Sequence, residues 1–443
     1  MSIFKLQKPE NGKNIDEALD KFNDEADINK YIEGTNLPKY LFWDKVQFKP
    51  RPKSFSPEEF WALIKLLRRF SPSRINTVIK DERGTPFSWQ SLPGQDYLLH
   101  EIDMDLGGAL ATQIINDEAA RQRFITRGII EEAIASSQLE GANTTRRVAK
   151  RMLLERRAPS NKSEQMIINN YTAMRAVEED YRNQKMSTDL LLELHATITK
   201  DTIDKDQIGR FRRDKDEIVV SDPTTNMIYH IPPSQKFLKK EISKFVRYAN
   251  DESDKQKFVH PVIKAIFLHF WMGYLHPFTD GNGRIARTLF YWYLLKNNYW
   301  AFSYLPVSKI IKNAPAQYRD AYIYTEQDDN DLTYFVDYNL RKIKQAKKEF
   351  EVYAKRKQAE NRKIFESAKM KHHLNDRQIQ LLRYLYKNSE ATTSINTHSK
   401  IYNITRPTAR KDLEQLEKIG FLSSEKIGRE RPFKGTGAIS QLL

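Results

Sequence analysis

The sequence predicts a mainly α-helical protein with a small β-hairpin and a basic C-terminal region. Apolar residues repeat at helical spacing through long stretches; Ile129, Ile130 and Ile134 in the segment from about 117 to 140 are an example. Residues 217–220 and 227–231 predict the two strands of the hairpin, with a polar turn between them. The net charge is +15, and residues 341–443 hold 24 Lys+Arg against 11 Asp+Glu. Such asymmetry is typical of a nucleic-acid-binding appendage.

Length and composition exclude several classes of protein. A chain of 443 residues is long enough for roughly two or three domains. Because it contains no cysteine, disulfides, thiolate metal sites and cysteine nucleophiles are excluded. The N-terminus lacks the apolar segment of a signal peptide, and the apolar runs near Leu268 and Leu289 are too short to span a bilayer. We expect a soluble, cytoplasmic protein with no membrane contact.

Three local signals define elements outside the hairpin. Ser56 as N-cap, Pro57 at the first helical position and Glu59 at the third predict a helix start. Residues 81–86 predict a turn. Pro315 predicts that the helical stretch 306–324 is divided into two pieces.

The densest chemistry lies in twelve residues between two apolar helical segments. They are His276-Pro277-Phe278-Thr279-Asp280-Gly281-Asn282-Gly283-Arg284-Ile285-Ala286-Arg287. Gly281 and Gly283 allow backbone N–H groups to converge at the start of a helix predicted from about Arg284, which forms an anion site. Arg284 and Arg287 are three residues apart, so both guanidinium groups lie on one face of the first turn.

His276 and Asp280 add two further functions to this stretch. A histidine titrates near neutrality and can accept a proton from a hydroxyl group. An aspartate beside phosphates is a ligand that Mg²⁺ prefers. A lone Gly-Asn-Gly would be an ordinary turn and a lone histidine is more often structural. The combination predicts phosphoryl or nucleotidyl transfer.

The twelve residues resemble the Fic family motif H-x-F-x-D-G-N-G-R-x-x-R and match every fixed position. The resemblance extends over about residues 35–340 and implies a Fic-type helical core with a β-hairpin flap. It implies transfer of AMP from ATP, with Mg²⁺, to a Ser, Thr or Tyr hydroxyl of a target protein or of the chain itself. The implied site has His276 as catalytic base, Asp280 as metal ligand, and as nucleotide-binding residues Gly281, Asn282, Gly283, Arg284, Ile285, Ala286 and Arg287.

Two further observations concern how the nucleotide binds and which group is transferred. Tyr318, by its offset from the motif, resembles the family position that lies against adenine. Tyrosines four apart, such as Tyr318 and Tyr322, are more often core residues, so both interpretations stay open. The kinase branch of the family has a lysine at the second glycine of the motif, and Gly283 disfavours that chemistry.

The last turn of the predicted helix 117–140 contains Ser136 and Glu140, and Gly141 follows it directly. Ser136 and Glu140 are four apart and share a face, and Gly141 is a typical residue after a helix end. Spacing alone favours a solvated helix end. The three residues also resemble the family's inhibitory motif [S/T]-x-x-x-E-[G/N], whose glutamate pairs with the second motif arginine, here Arg287. The resemblance implies autoinhibition in cis, because ATP would then bind misaligned.

The hairpin at residues 217–231 corresponds in position to the family's flap, which holds a target segment by strand addition. A hairpin without that function is the alternative. Farther along, residues 341–372 contain no Gly or Pro and predict a basic helical connector.

Residues 373–443 resemble a winged helix-turn-helix with a basic two-stranded tip at 426–433. Arg406, Thr408 and Arg410 open its recognition helix and are the candidate DNA-binding residues. Many such modules mediate only protein contacts, so DNA, a protein partner and a homodimer all stay open.

Four regions follow from these patterns: an N-terminal helical region ending in the inhibitory helix (1–145), a Fic catalytic core (146–340), the connector (341–372) and the winged helix (373–443). The first hypothesis is an adenylyltransferase inhibited by Glu140. One alternative is AMP removal at the same site, with Glu140 orienting water. The other is a nucleotide-sensing DNA-binding regulator without turnover; His276 favours an enzyme, because sensing requires no base.

Overall fold

The computed structural model describes residues 2–9, 15–107, 118–222, 224–252, 258–387, 391–425 and 431–441. The described chain is mainly helical, as predicted. It divides into two compact units, one of Met1–Gly107 and Gly128–Lys347, the other of Gly108–Arg127 and Lys348–Leu443. The domain boundaries at 145, 340 and 372 stay predictions. None of the described helices is long and apolar enough to cross a membrane.

The helices are α1 (Ile15–Asp24), α2 (Ile28–Asn36), α3 (Trp43–Val46), α4 (Pro57–Arg69), α5 (Gln95–Ile102), α6 (Glu118–Leu139), α7 (Arg146–Glu155), α8 (Lys162–Ala176), α9 (Thr188–Thr199), α10 (Gln235–Ala249), α11 (Pro261–Leu275), α12 (Asn282–Lys296), α13 (Val307–Lys312), α14 (Pro315–Gln327), α15 (Thr333–Lys371), α16 (Asp376–Lys387), α17 (Ile395–Ile401), α18 (Arg406–Lys418) and α19 (Gly437–Gln441). The strands are β1 (Arg74–Lys80), β2 (Pro86–Gln90), β3 (Val220–Ser221), β4 (Ile228–His230), β5 (Thr392–Thr393), β6 (Leu422–Ser424) and β7 (Phe433–Gly435).

Helices α11 and α12 form the centre of the first unit. Both are apolar on nearly every face, which is the pattern of a helix enclosed by other elements. Trp271 on α11 and Trp292 on α12 are fully buried. The motif loop therefore connects two helices that the core holds in place.

The predicted start of α4 is confirmed in detail. Glu59 N–H donates to Ser56 Oγ (3.1 Å), and Ser56 N–H donates to the Glu59 carboxylate (2.7 Å), so the two residues satisfy each other. The division at Pro315 is also confirmed, because α13 ends before it and α14 begins with it.

Two findings correct the strand predictions. Of the predicted turn at 81–86, residues 81–85 connect the strands of an antiparallel hairpin, β1–β2, and Pro86 begins β2; only the turn was predicted. The flap hairpin, β3–β4, is shorter than predicted, with Val220 paired to His230. Glu217 has a left-handed backbone (φ +47°) that ends a 3-10 turn, so residues 217–219 are not strand. Residue 223, in the turn of this hairpin, lies outside the described residues.

The second unit contains α16, α17 and α18 and a three-stranded antiparallel sheet in the order β5-β7-β6. Leu382, Leu413, Leu416 and Phe433 belong to the apolar cluster that joins these helices to the sheet. The carboxylate of Asp412 on α18 is buried. It accepts hydrogen bonds from side chains that precede α16 or lie on it, namely Asn375 (2.7 Å) and Arg377 (2.9 Å). Part of the predicted basic tip, residues 426–430, lies outside the described residues.

Candidate active site

The motif loop is held by its own side chains. Asn282 Oδ1 accepts from Phe278 N–H and Asn282 Nδ2 donates to Phe278 O, both at 2.9 Å. Gly281 is the N-cap of α12 with φ +83°, a conformation that favours glycine. The helix begins at Asn282, two residues earlier than predicted. Its first amides have no partner within the helix and form an anion site at the positive end of the helix dipole.

His276 follows α11 directly and has a left-handed backbone (φ +45°). Its Nδ1 lies 3.2 Å from Gly273 O. Because a carbonyl only accepts, Nδ1 carries the proton of the neutral ring and Nε2 has the free lone pair. Burial and the neighbouring His230 lower the pKa of His276 to about 3. The ring is therefore neutral at physiological pH, as a general base must be.

Arg212 fixes the backbone around His276. Its Nε donates to His276 O (2.7 Å), its Nη2 to Leu275 O (3.2 Å), and its backbone N–H to Pro277 O (2.8 Å). The side chain is buried, with 5% of its surface exposed. No local pattern marks this function, because Arg212 lies in an irregular stretch 64 residues before the histidine.

His195 on α9 supports the other side of the loop. Its ring stacks on Phe278 at 3.9 Å between centroids and 5° between planes. Nδ1 accepts from Gly209 N–H (3.0 Å), so Nε2 carries the proton and donates to Asp280 O (3.1 Å). Burial lowers the pKa of His195 to about 4, which keeps this tautomer neutral. No local sequence pattern marks His195 for this function.

Arg284 is fully buried and already has partners. Nη1 donates to Ile198 O (2.9 Å) and Nη2 to Asp280 Oδ1 (3.2 Å). Oδ1 of Asp280 also accepts from Gly281 N–H. Both contacts use the same carboxylate oxygen, and the Asp280 side chain is 39% exposed, so Oδ2 is suited to a cation.

This arrangement fits Mg²⁺ only together with a phosphate ligand. The described residues contain no group of three or more His, Cys, Asp or Glu that could hold a metal ion. Mg²⁺ is commonly bound by one or two carboxylates together with substrate phosphates and water. Asp280 at the edge of the anion site meets that requirement.

Arg287 is bound by the end of α6. Its Nε donates to Ser136 Oγ (2.8 Å), and its Nη2 donates to Ser136 O (2.9 Å) and to Glu140 Oε1 (2.8 Å). Burial by itself would lower the pKa of Arg287, but the Glu140 carboxylate together with Tyr318 and Glu132 outweighs burial, so the pKa is raised. Gly141 has φ +91°, as expected after a helix end. Two residues of the predicted inhibitory motif, Ser136 and Glu140, thus bind Arg287, and Gly141 ends the segment that carries them.

Gly283 shows where the Glu140 carboxylate lies. A Cβ built on Gly283 would be 2.2 Å from Glu140 Oε1 and 3.1 Å from Arg287 Nη1. The carboxylate therefore fills the space beside Gly283 in the first turn of α12, close to the amides of the anion site. An anion is favourable there because of the helix dipole.

The body of α6 is anchored to the core. Glu132 is buried and accepts from Tyr291 Oη (2.8 Å), from Ser308 N–H (2.9 Å) and from the Ser308 hydroxyl. One turn earlier, a Cβ built on Gly128 would be only 2.2 Å from Tyr304 Cα. Helix α6 therefore touches the backbone of the 3-10 turn that ends at Tyr304, and only glycine permits that approach.

Tyr318 is half-buried on α14. Its hydroxyl lies 2.7 Å from His269 Nε2, and its ring contacts Tyr322 at 5.4 Å between centroids. Burial lowers the pKa of His269 to about 3, so that histidine is neutral. These contacts are those of a residue at the border of an aromatic cluster. The assignment of Tyr318 to adenine stays a prediction.

The flap is connected to the site through His230 on β4, which sequence analysis did not identify. Nδ1 lies 2.6 Å from Glu326 Oε2, and Nε2 lies 2.8 Å from Tyr274 O, two residues before His276. Both ring nitrogens face acceptors, an arrangement that suits the doubly protonated ring. Burial by itself would lower the pKa of His230, but Glu326 and the Tyr274 carbonyl together outweigh burial, so the pKa is raised.

In the second unit, the structure places the three predicted DNA-binding residues in the first turns of α18. Arg406 and Arg410 are exposed, whereas Thr408 is half-buried with its hydroxyl 2.9 Å from that of Thr405. Arg406 and Arg410, but not Thr408, line a groove of about 1160 Å³. Its basic lining residues are Arg406, Arg410, Lys411, Lys418 and Arg431.

Comparison with known proteins identifies the class of domain that contains this site. Residues 185–294 match the Fic/DOC family model, so the chain carries a Fic/DOC domain. The chain is 32% identical over 110 residues to "Protein adenylyltransferase Fic" of Nematostella vectensis, which is 24% of this chain and 22% of the relative. The relative of that name in Drosophila melanogaster is 33% identical over 112 residues, 25% of this chain and 20% of the relative. The chain thus spans about a fifth of the length of the curated relatives it matches.

Solved structures of similar proteins include a Fic family protein from Desulfovibrio desulfuricans G20, with a TM-score of 0.49 and 20% identity, covering 79% of this chain and 97% of that one. A Fic-domain-containing signaling protein from Bacteroides thetaiotaomicron has a TM-score of 0.44 and 19% identity, covering 56% of this chain and 96% of that one.

Proposed function

We propose that this protein is a protein adenylyltransferase that transfers AMP from ATP to a hydroxyl group of a target protein, and that Glu140 inhibits it. The observation that carries the proposal is the pairing of Arg287 with Glu140 and Ser136 at the start of α12. A general base, an anion site and an arginine that is paired with a carboxylate lie around one loop. Nucleotidyl transfer requires a base, a phosphate site and a cationic group close together. The names of the curated relatives and the complete motif support AMP as the transferred group.

In this reaction the target hydroxyl attacks the α-phosphorus of ATP. The new oxygen–phosphorus bond forms as the bond to the β-phosphate oxygen breaks, and pyrophosphate leaves. His276 Nε2 takes the hydroxyl proton, since Nδ1 already carries the proton that faces Gly273 O. The amides of Asn282, Gly283 and Arg284 hold the phosphates by hydrogen bonds at the helix start.

Asp280 would hold Mg²⁺ through Oδ2, and the ion would neutralise charge on the phosphates. Arg284 orients Asp280 through Oδ1. Arg212 and His195 hold the backbone on both sides of the loop, so that base and anion site keep a fixed separation. Precise positioning of this kind supplies much of the catalysis in reactions of phosphates.

Inhibition follows from competition for one guanidinium group. Arg287 Nη2 binds Glu140, and Glu140 also occupies the space beside Gly283. A triphosphate in the productive position would need both the guanidinium and that space. While Glu140 is present, the nucleotide binds displaced, and a displacement of about 1 Å can reduce the rate about 10²-fold.

The test is transfer from ATP labelled at the α-phosphate to proteins of the native lysate. Removing the inhibitory carboxylate should raise labelling about 10²-fold in Glu140→Gly. Glu131→Gln is the matched control, because Glu131 lies on the same helix and pairs with Arg146 instead. Glu140→Gly combined with His276→Ala should be inactive.

Two results would contradict this assignment. If Glu140→Gly labels no more than the intact chain, Glu140 is not inhibitory. If it instead loses the ability to remove AMP from labelled proteins, Glu140 is catalytic and orients water, which was the alternative from the sequence.

For the second unit we propose a winged helix that binds DNA. Three helices, a small antiparallel sheet, and exposed Arg406 and Arg410 at the start of the third helix support it. The basic groove beside α18 would receive the phosphate backbone. Retardation of duplex DNA by the full chain tests this proposal.

A further inference from the structure

The free edge of the flap is occupied by another part of the same chain. Ile228 N–H donates to Ser2 O (2.9 Å), and Phe4 N–H donates to Ile228 O (2.8 Å). These bonds form a parallel bridge between Ile3 and Ile228. Strand β3 pairs with the other edge of β4. Residues 2–6, which we term the N-terminal segment, thus add a strand to the flap.

A single side chain binds the backbone of this segment just beyond the bridge to Ile228. Gln327 Nε2 donates to Phe4 O (3.0 Å), and Gln327 Oε1 accepts from Leu6 N–H (2.8 Å). The Gln327 amide thus makes one donating and one accepting hydrogen bond to the backbone, as a paired strand would. The contacts depend on an extended backbone and not on particular side chains.

One side chain of the segment also contributes specificity. The Phe4 ring packs on Tyr229 at 5.5 Å between centroids, and Arg319 lies over Tyr229 at 4.7 Å. Ile3, in contrast, is 54% exposed. The edge therefore accepts extended polypeptide with an aromatic or large apolar residue at one position.

If the register of the single Ile3–Ile228 pair continued along both parallel strands, Lys5 would be level with His230. The ring of His230 lies 6.2 Å from that of His276. The hydroxyl group of the segment is on Ser2, beside Met227 at the far end. The N-terminal segment therefore occupies the edge of β4 but presents no hydroxyl group toward His276, the candidate base.

We propose that the N-terminal segment is a pseudosubstrate strand, which occupies the edge of β4 until an extended, parallel segment of the target protein displaces it. The inference rests on the proposed function for the role of the displacing segment. A tethered competitor acts at an effective concentration in the millimolar range, so it weakens binding of any peptide in trans. This control is independent of Glu140, which acts on the nucleotide.

The experiment measures exchange at the edge directly. A fluorescent peptide of residues 2–8 is titrated by anisotropy into the intact chain and into a chain lacking residues 2–8. The shortened chain should bind at least about tenfold more tightly, because the tethered competitor is gone. A peptide N-methylated at Phe4 is the matched control and should bind weakly, since it cannot donate to Ile228 O.

If the shortened chain does not fold, a second pair of variants in the intact chain tests the same competition. Phe4→Pro removes the donor in the intact chain, whereas Ile3→Pro leaves both bonds to Ile228 possible, since they use Ser2 O and Phe4 N–H. Phe4→Pro should bind the peptide more tightly than Ile3→Pro. Equal binding by the two variants, or by the shortened and intact chains, would overturn the inference.

Labelling in the Glu140→Gly background separates this inference from the proposed function. Phe4→Pro should increase labelling of lysate proteins, and the peptide should reduce it. If Glu140→Gly labels proteins but neither change has an effect, the pseudosubstrate inference alone is wrong. If Glu140→Gly labels nothing, the proposed function fails, and the anisotropy result still decides whether the edge exchanges its strand.

Discussion

Two cationic regions of this protein use arginine in opposite ways. In the motif, the side chains of Arg284 and Arg287 are 0% and 3% exposed and bind named oxygen atoms of the chain. In the groove of the second unit, Arg406 and Arg410 are exposed. A buried, paired guanidinium fixes the geometry of one ligand, whereas exposed charges act through a screened field.

The two regions should therefore respond to different perturbations. Activity at the motif should depend on single atoms and respond weakly to salt. Binding at the groove should depend on total charge and respond strongly to salt. Substitutions at each region, with matched controls, test that contrast.

The largest effect is expected for His276→Ala in the Glu140→Gly background. Loss of the base should reduce AMP transfer by about 10²–10⁴-fold, because no other group takes the hydroxyl proton. ATP affinity, measured by calorimetry, should be unchanged, since the phosphates bind the amides at the start of α12 and Arg287, and not His276. His373→Ala, at an exposed histidine, is the control. Transfer at the parent rate in His276→Ala would show that another group is the base.

An intermediate effect is expected at the groove. Each phosphate contact contributes about 0.9 to the slope of log affinity against log salt. Arg406→Ala with Arg410→Ala in the full chain should therefore lower that slope by about 2 in a DNA titration. Lys239→Ala with Lys240→Ala removes the same charge from exposed positions on α10 and should leave the slope unchanged. An equal change in both pairs would mean that net charge alone attracts DNA, and no binding at low salt would favour a protein-contact module.

The smallest effect is expected for pH. The pKa of His276 is lowered to about 3, so the base stays unprotonated as the pH falls from 8 to 5. AMP transfer by Glu140→Gly should therefore show no acid limb near pH 6.5. His230 has a raised pKa, so it loses its charge, and its attraction to Glu326, only as the pH rises through that value. A rate that halves near pH 6.5 on acidification would mean that His276 is solvated and not buried.

The sequence predicted those parts of the site that lie close together in the chain. The twelve-residue motif, the helix end at Glu140 and the helix start at Ser56 each depend on local spacing, and the structure shows each helix boundary within about two residues. Hydrophobic periodicity was enough for the mainly helical fold.

The parts that were missed depend on contacts between distant residues. Arg212, His195 and His230 act through side-chain hydrogen bonds to backbone atoms far away in the chain, and no local pattern marks such residues. The hairpin β1–β2 is a different case. Its alternating β-branched residues were a usable signal around a turn that was recognised.

Anchoring of α6 at Gly128 and Glu132 has a consequence for the speed of activation. Since the helix body touches the backbone at Tyr304 and the Glu132 carboxylate is buried, the helix is held in place, and Arg287 can separate from the Glu140 carboxylate without helix movement. Rotation of the Glu140 side chain, which is 28% exposed, removes that contact while Ser136 keeps its hydrogen bonds to Arg287. Exposed side chains change rotamer in picoseconds to nanoseconds, whereas helix movements take microseconds or longer. Activation would then be limited by the arrival of whatever ligand retains the rotated carboxylate.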